Sequence, residues 1–406
     1  MNERSEPNHL TVGVVSVFRL ARPLCPFPGV RDAAEGRPIS DKQNREDMIM
    51  KHYRLLGCIA LLLPFVLITV STGPAKGAKI AQENYMIDGA DPGIKLSVRE
   101  KYAEGMKNFR SDNVVVFVHG ATYPCIPDFD LSVPGYSWMN YMAERGFDAV
   151  CFDIRGYGES TRPKALDEPA ANNKPVVRAS VVIRDIGAVV DHIRKKRGVD
   201  KVSIIGWSWG AMSAPLYATI HPEKVHRLVL YAPMYGYKKH PVFGHGSGLE
   251  DPDRPGQFKP TIGAYRLRDD AGTTARWDKQ IVPKNKEEWR DPAVLKAYLK
   301  ENLDSDPTSY DRKPPSHRAP NGVLIDAYMG ATGRPLYDAS NLTMPTLIIK
   351  GDSDPWAQEP DVLNLFHQIT RAPMKRLVII GGASHFITLE RKRLELWEES
   401  YTFLTD

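Results

Sequence analysis

Gly206-Trp207-Ser208-Trp209-Gly210 lies between a short apolar run, Val202, Ile204 and Ile205, and a helix-like stretch through Met212, Leu216 and Tyr217 that ends at His221-Pro222. A serine set between a strand and a helix in this way sits on a tight corner. Both glycines are needed, because a Cβ atom at either would fall where strand and helix converge. The corner lifts the hydroxyl clear of the sheet and sets it at the positive end of the following helix. The five-residue pattern also arises by chance. Chemistry at Ser208 further requires a base, an acid to orient that base, and donors for a developing oxyanion.

Each has a place elsewhere in the chain. The run from Met344 to Lys350 reads as a buried strand and enters Gly351-Asp352-Ser353-Asp354-Pro355-Trp356, a turn with two carboxylates. A second run, Arg376 to Ile380, enters Gly381-Gly382-Ala383-Ser384-His385-Phe386. Upstream, Val114 to Val118 is wholly apolar and ends in His119-Gly120-Ala121-Thr122.

With Phe152-Asp153-Ile154-Arg155-Gly156-Tyr157-Gly158-Glu159-Ser160, these motifs stand in an order that resembles the α/β-hydrolase superfamily, from about Gln82 to the C-terminus. The resemblance implies an α/β fold: a mostly parallel eight-stranded sheet, helices on both faces, and a largely helical cap insertion. It implies Ser208 as nucleophile and His385 as base. It also favours Asp354 over Asp352 as the acid, because the last aspartate of Gly-x-x-Asp-Pro usually holds that role; Asp352 then caps the turn. The strand Arg227 to Ala232 ends without a carboxylate, which leaves the acid on the later loop. The implied oxyanion donors are the N–H groups of Trp209 and Ala121, with Thr122 next. His119 orders its loop in this reading, and the Asp153 segment is structural. A serine at the corner argues against haloalkane dehalogenase and epoxide hydrolase chemistry, which use an aspartate there in this superfamily.

The remaining chain fits that path. Asn84 to Ile87 and the alternating Ile94 to Glu100 read as an antiparallel opening, and Arg178 to Lys196 reads as a helix with Val182, Ile186, Val189, Val190 and Ile193 on one face. Residues 78–235 form the first part of the core, 236–340 the cap, and 341–406 the second part. Within the cap, a helix is expected from Pro292 to Leu303, with Asp291 as N-cap and Leu295, Tyr298 and Leu299 on one face. A second passes through Val323, Leu324, Ala327 and Tyr328. Trp207, Trp356 and Thr122 are candidate substrate contacts, with Trp209 a further wall, although Trp207 has an alternative place in the core behind the corner. Tyr235, Tyr237, Trp277 and Trp289 could line a substrate cleft, but are rather expected to hold the cap on the core.

The front of the chain reads differently. Lys51-His52-Tyr53-Arg54 precede an apolar run from Leu55 to Val70 and a small-residue exit through Gly77-Ala78, the pattern of an export signal over residues 48–77. The run is shorter than the about 20 residues of a membrane span, so a retained anchor through 55–70 is the second choice. Residues 1–47 are expected to be a leader or a misassigned start, with translation beginning at Met48 or Met50. Of four cysteines, Cys25 and Cys58 fall in this front part. Cys125 and Cys151 are left either to pair in an oxidising compartment or to remain apart, with Cys151 a small buried hydrophobe.

A net charge of +5 over 406 residues, without a basic cluster interleaved with aromatics, does not suggest nucleic acid. No Cys/His spacing suggests a metal, and the chemistry of Ser208 calls for no cofactor. The expectation is an exported, cap-bearing serine hydrolase, periplasmic or extracellular, that cleaves a carboxylic ester of a small, apolar or aromatic substrate through an acyl-enzyme. The alternatives are an aminopeptidase resembling proline iminopeptidases, or a ligand-binding protein on the same fold.

Overall fold

The computed structural model describes residues 79–406. The proposed leader, the apolar segment 55–70, Cys25 and Cys58 lie outside the described residues. Among the described residues no helix is long and apolar enough to cross a membrane.

Among the described residues, nineteen strands and α-helices follow one another, and their order decides where the motif loops end up. β1 (Ile80–Asp88) and β2 (Lys95–Ala103) form an antiparallel hairpin. β3 (Val114–Val118) leads through α1 (Cys125–Phe129) and α2 (Trp138–Ala143) to β4 (Asp148–Phe152). α3 (Ala179–Arg197), β5 (Val202–Trp207), α4 (Gly210–Ile220) and β6 (Val225–Tyr231) come next. An insertion then carries β7 (Tyr265–Asp269), α5 (Asp270–Asp278), α6 (Pro292–Asp304), β8 (Ser316–Pro320) and α7 (Gly322–Ala331). β9 (Thr346–Gly351), α8 (Glu359–Gln368), β10 (Lys375–Ile380) and α9 (Arg393–Thr405) complete the chain.

The large sheet has eight strands in the order β1-β2-β4-β3-β5-β6-β9-β10, parallel from β4 to β10 and antiparallel at the β1–β2 end. This is the α/β-hydrolase arrangement implied by the motifs. Its central strands are largely apolar because helices cover both faces; every residue of β3, β4 and β5 is buried, Asp148 and Ser203 included. One face packs on α3 and α4 through Val182, Ile186, Val189, Val190 and Ile193. The other packs on α2 and α9, with Trp138 stacked on Trp397. α3 stops at Gly198, whose φ of 67° is the left-handed conformation that ends a helix.

Parallel strands place their C-terminal ends on one edge of the sheet, so the loops after β3, β5, β9 and β10 converge there. The loop after β4 is tied down separately. Asp153 accepts the N–H groups of Cys125 and Glu159, and Arg155 pairs with Asp185 and Asp91. Cys125 and Cys151 are joined by a disulfide, with Cα atoms 5.9 Å apart, which settles the open pairing.

The insertion is not purely helical. β7 and β8 form a two-stranded antiparallel ribbon in which Arg266 faces Ala319 and Arg268 faces His317. Alternation in Tyr265–Asp269 is inverted: Leu267 is exposed and the two arginines are half-buried, so an apolar-in pattern would not find this strand. α6 begins as expected, with the Asp291 carboxylate accepting the Ala293 N–H. Its buried face is Val294, Tyr298 and Leu303, while Leu295 and Leu299 are only half-buried.

Candidate active site

Ser208 has φ 57°, in the left-handed region that serine seldom visits. The turn survives because its neighbours are glycines. An ideal Cβ at Gly206 would lie 2.4 Å from the carbonyl oxygen of Gly210, and one at Gly210 would lie 2.1 Å from that of Val118. The Ser208 N–H is held by the Tyr231 carbonyl at 2.8 Å. Such strain is kept where the surrounding structure over-determines it.

The two tryptophans beside Ser208 go to opposite faces of the sheet. Trp207 stacks on Tyr231 (5.3 Å, 10°) and its indole N–H donates to the His385 carbonyl at 3.1 Å. Trp209 is buried on the other face and donates to Asp326 Oδ2 at 3.1 Å. Asp326 also receives Arg178 and the Ala179 N–H, so it links the start of α3, the corner and α7.

His385 is fixed on every side but one. Its Nδ1 lies 2.7 Å from Asp354 Oδ2. Its carbonyl accepts from Trp207 and from the Tyr231 hydroxyl (2.6 Å), and its N–H donates to Gln280 Oε1 in the insertion. With Nδ1 committed to a carboxylate, Nε2 is the nitrogen left for proton transfer. Asp354 Oδ1 meanwhile accepts the N–H groups of Trp356 and Ala357. Burial works to raise the Asp354 pKa, but the His385 imidazole, the Lys350 ammonium and the Ala357 N–H outweigh it and hold the carboxyl below its ordinary range. Asp352, the other carboxylate of the turn, accepts the N–H groups of Gly382 and Ala383 and so braces the loop that carries His385.

The loop after β3 lies directly against Ser208. A Cβ at Gly120 would sit 3.1 Å from Ser208 Cβ. His119 is fully buried, its Nδ1 2.8 Å from the Gly120 carbonyl and its Nε2 accepting the Ile154 N–H at 3.0 Å. Burial lowers its pKa to about 4, so the ring is neutral and braces the loop. Thr122 has φ 89° and is held three ways: its N–H points to the Tyr157 hydroxyl (3.4 Å), its carbonyl is 3.1 Å from His317 Nε2, and its hydroxyl accepts from Arg266 Nη2 at 2.5 Å. Burial and the nearby Arg266 lower His317 to about 4, so it is neutral and Nε2 carries the donated hydrogen. The N–H groups of Ala121 and Trp209 have no hydrogen-bond partner among the described residues.

These loops enclose a cavity of about 250 Å³ lined by Gly120, Ala121, Thr122, Ser208, Trp209 and His385. Trp207 and Trp356 also reach it, so all the expected contacts share one wall system. Trp356 stands edge-on to His385, ring centroids 4.7 Å apart. Tyr235, Tyr237, Trp277 and Trp289 are not among its lining residues; Trp277 stacks on Phe386 and donates to Glu390. The sequence motifs did not include Gln280 and His317, which hold the loops that carry His385 and Thr122, or Arg266, Arg268 and Arg276, which line the cavity. The only local signal for them is the Arg-x-Arg spacing of 266 and 268, which sets both on one side of a strand.

Residues 113–392 match the alpha/beta hydrolase fold family. The chain belongs to that family. Among relatives of this alpha/beta hydrolase, Epoxide hydrolase 1 of Siraitia grosvenorii is 24% identical over 307 residues, covering 69% of this chain and 88% of the relative. Epoxide hydrolase 2 of the same plant is 25% identical over 134 residues, 32% of this chain and 35% of the relative, so the chain spans about a third of that relative's length. The human Serine hydrolase BPHL is 35% identical over 85 residues, 21% of this chain and 25% of the relative. The solved epoxide hydrolase of Vigna radiata shares the fold at 18% identity and a TM-score of 0.50, covering 80% of this chain and 97% of that one.

Proposed function

We propose that this hydrolase is an exported serine esterase that works through an acyl-enzyme. One observation carries the reading: Ser208, on a strained corner, opens into the same cavity as His385, whose Nδ1 is already committed to Asp354 at 2.7 Å. Ser208 Oγ would attack an ester carbonyl as His385 Nε2 takes its proton. The N–H groups of Trp209 and Ala121 would hold the oxyanion. As the tetrahedral adduct collapses, His385 returns the proton to the departing alkoxide. Water, deprotonated by His385, then attacks the acyl-serine and frees the acid. Asp354 keeps the imidazole in the needed tautomer and offsets its positive charge.

Several relatives are named epoxide hydrolases. A serine attacking an epoxide carbon would leave an ether, which activated water does not cleave. An ester intermediate can turn over, and a serine forms one only with an acyl substrate. The aminopeptidase alternative is disfavoured by charge, since an ammonium in the cavity would meet three guanidinium groups. Export is supported by the signal-like segment 48–77 and by the buried disulfide, which fits an oxidising compartment.

Labelling with a fluorophosphonate probe, alongside turnover of p-nitrophenyl esters, aminoacyl anilides and an aryl epoxide, tests the reading. Wild type is expected to be labelled and to hydrolyse the esters, and S208A to do neither. Turnover confined to the epoxide or the anilides would overturn it. N-terminal sequencing of the native protein is expected to begin near Ala78.

A further inference from the structure

Two walls of the catalytic cavity differ in kind. One is apolar, built from Met212, Met234, Phe243, Leu249 and Val323. The other carries Arg266, Arg268 and Arg276, all contributed by β7 and α5. Arg266 is structurally engaged: Nη1 donates to the Pro320 carbonyl (2.7 Å) and to Asn321 Oδ1 (3.2 Å), and Nη2 to Thr122.

The other two are not. Among the described residues neither Arg268 nor Arg276 forms a salt bridge, and the Nε of each is buried with no hydrogen-bond partner. Arg276 lies over the Trp356 ring at 4.5 Å, and Trp356 in turn abuts His385, which puts this guanidinium one ring away from the base. The neighbouring acids do not neutralise the pair. Asp269 gives its carboxylate to the Gly272 N–H, and Asp128, which also lines the cavity, takes the Tyr298 hydroxyl. Burial drives Asp128 strongly toward its neutral form. Burial lowers the pKa of Arg268 and the charge of Arg276 lowers it further, and the smaller opposing effects of Tyr123 and Asp269 do not reverse the shift. Guanidinium groups placed this way match a planar oxyanion, and partly buried N–H donors without partners are costly until one arrives.

We propose that Arg268 and Arg276 bind a carboxylate on the substrate, so that the enzyme acts on monoanionic esters, such as monoesters of a dicarboxylic acid, with their apolar arm on the opposite wall. The proposal rests on the ester reading for its reaction but not for its binding site. A neutral diester or a simple fatty ester lacks the group that satisfies the two guanidiniums.

The test compares kcat/KM for mono-p-nitrophenyl glutarate with that for p-nitrophenyl valerate, a neutral ester of similar length, in wild type, R268Q and R276Q. The anionic ester is expected to be favoured by roughly 10-fold or more, from charge-assisted hydrogen bonds. Each variant is expected to lose that preference, read as the ratio of the two kcat/KM values within one protein. Equal rates on the two esters in wild type, or a preference that survives both substitutions, would overturn the proposal. Calorimetric titration of S208A with monomethyl glutarate, dimethyl glutarate and methyl phosphate needs neither turnover nor an arginine variant. Tighter binding of the monoanion is expected; parity with the diester, or tighter binding of methyl phosphate, would overturn the carboxylate assignment. If S208A prefers the monoanion but wild type hydrolyses no ester, the ester reading fails and the anion site stands.

Discussion

Arg266 donates through Nη2 to the hydroxyl of Thr122, joining the insertion to the loop after β3 across 144 positions of sequence. Its Nη1 is anchored on the Pro320 carbonyl, at the start of the segment that leads into α7. His317 reaches the Thr122 carbonyl from the same ribbon. The insertion therefore does more than cover the cavity: it holds the loop that carries Ala121 in position against Ser208.

Replacing Arg266 by Met should lower kcat with little change in KM, because the lost contact positions donors that act on the oxyanion. A displacement of about 1 Å can cost up to roughly 100-fold. Steady-state kinetics on a neutral ester, with a circular dichroism spectrum to verify the fold, checks this; a rise in KM alone would assign Arg266 to substrate binding instead.

The two carboxylates after β9 should separate cleanly. D354N leaves the geometry but removes the charge that fixes the His385 tautomer, and kcat is expected to fall about 10⁴-fold. D352N keeps one acceptor for the N–H groups of Gly382 and Ala383, so it should cost about 1 kcal/mol of stability and little rate. Kinetics and urea titration of both variants distinguish the roles.

Glycine substitutions should sort by space. G210A places a Cβ 2.1 Å from the Val118 carbonyl oxygen and should destabilise by about 3 kcal/mol or more. At Gly93, φ is +76° and nothing lies within 4 Å, so G93A should cost only the left-handed penalty of about 1–2 kcal/mol. Denaturant midpoints of the two proteins measure the difference.

Asp361 supplies a pH signature. Buried between α8 and the segment after β6, it accepts the N–H groups of Tyr235 and Tyr237, and burial lifts its pKa to about 7. The folded chain then binds a proton that the unfolded chain releases near pH 4, so this residue's contribution to stability is present at low pH and is lost as pH rises through about 7. His240, 4.0 Å from Asp361 Oδ2, works in the opposite sense, because burial lowers its pKa and favours the neutral ring. Asp354 adds to the rise at Asp361 through its negative charge. D361N should therefore gain stability relative to wild type as pH increases from 4 to 7, seen as a growing difference in urea midpoint; a constant difference would show that Asp361 is not protonated in the folded state.

Sequence by itself determined the features that rest on local backbone chemistry. A serine at φ 57° needs glycines two places away on each side, and strands buried on both faces need largely apolar runs, so the corner, the sheet and the four motif loops were all legible. Chain order brought Ser208, the acid turn and His385 together, because parallel strands deliver their C-terminal loops to one edge, and the family resemblance chose Asp354 over Asp352 within that turn. Tertiary structure alone decided what faces the cavity. Trp207 and Trp209 look alike in sequence, yet they part to opposite faces of the sheet, and Asp326 and Tyr231 determine where each ring rests. Arg266, Arg268 and His317 gave no apolar signal, since β7 turns Leu267 outward between two half-buried arginines and β8 is buried at every position, and Thr122, which Arg266 and His317 hold, lies far along the chain. Contacts of that range depend on how the insertion folds back over the sheet edge, and no local periodicity records it.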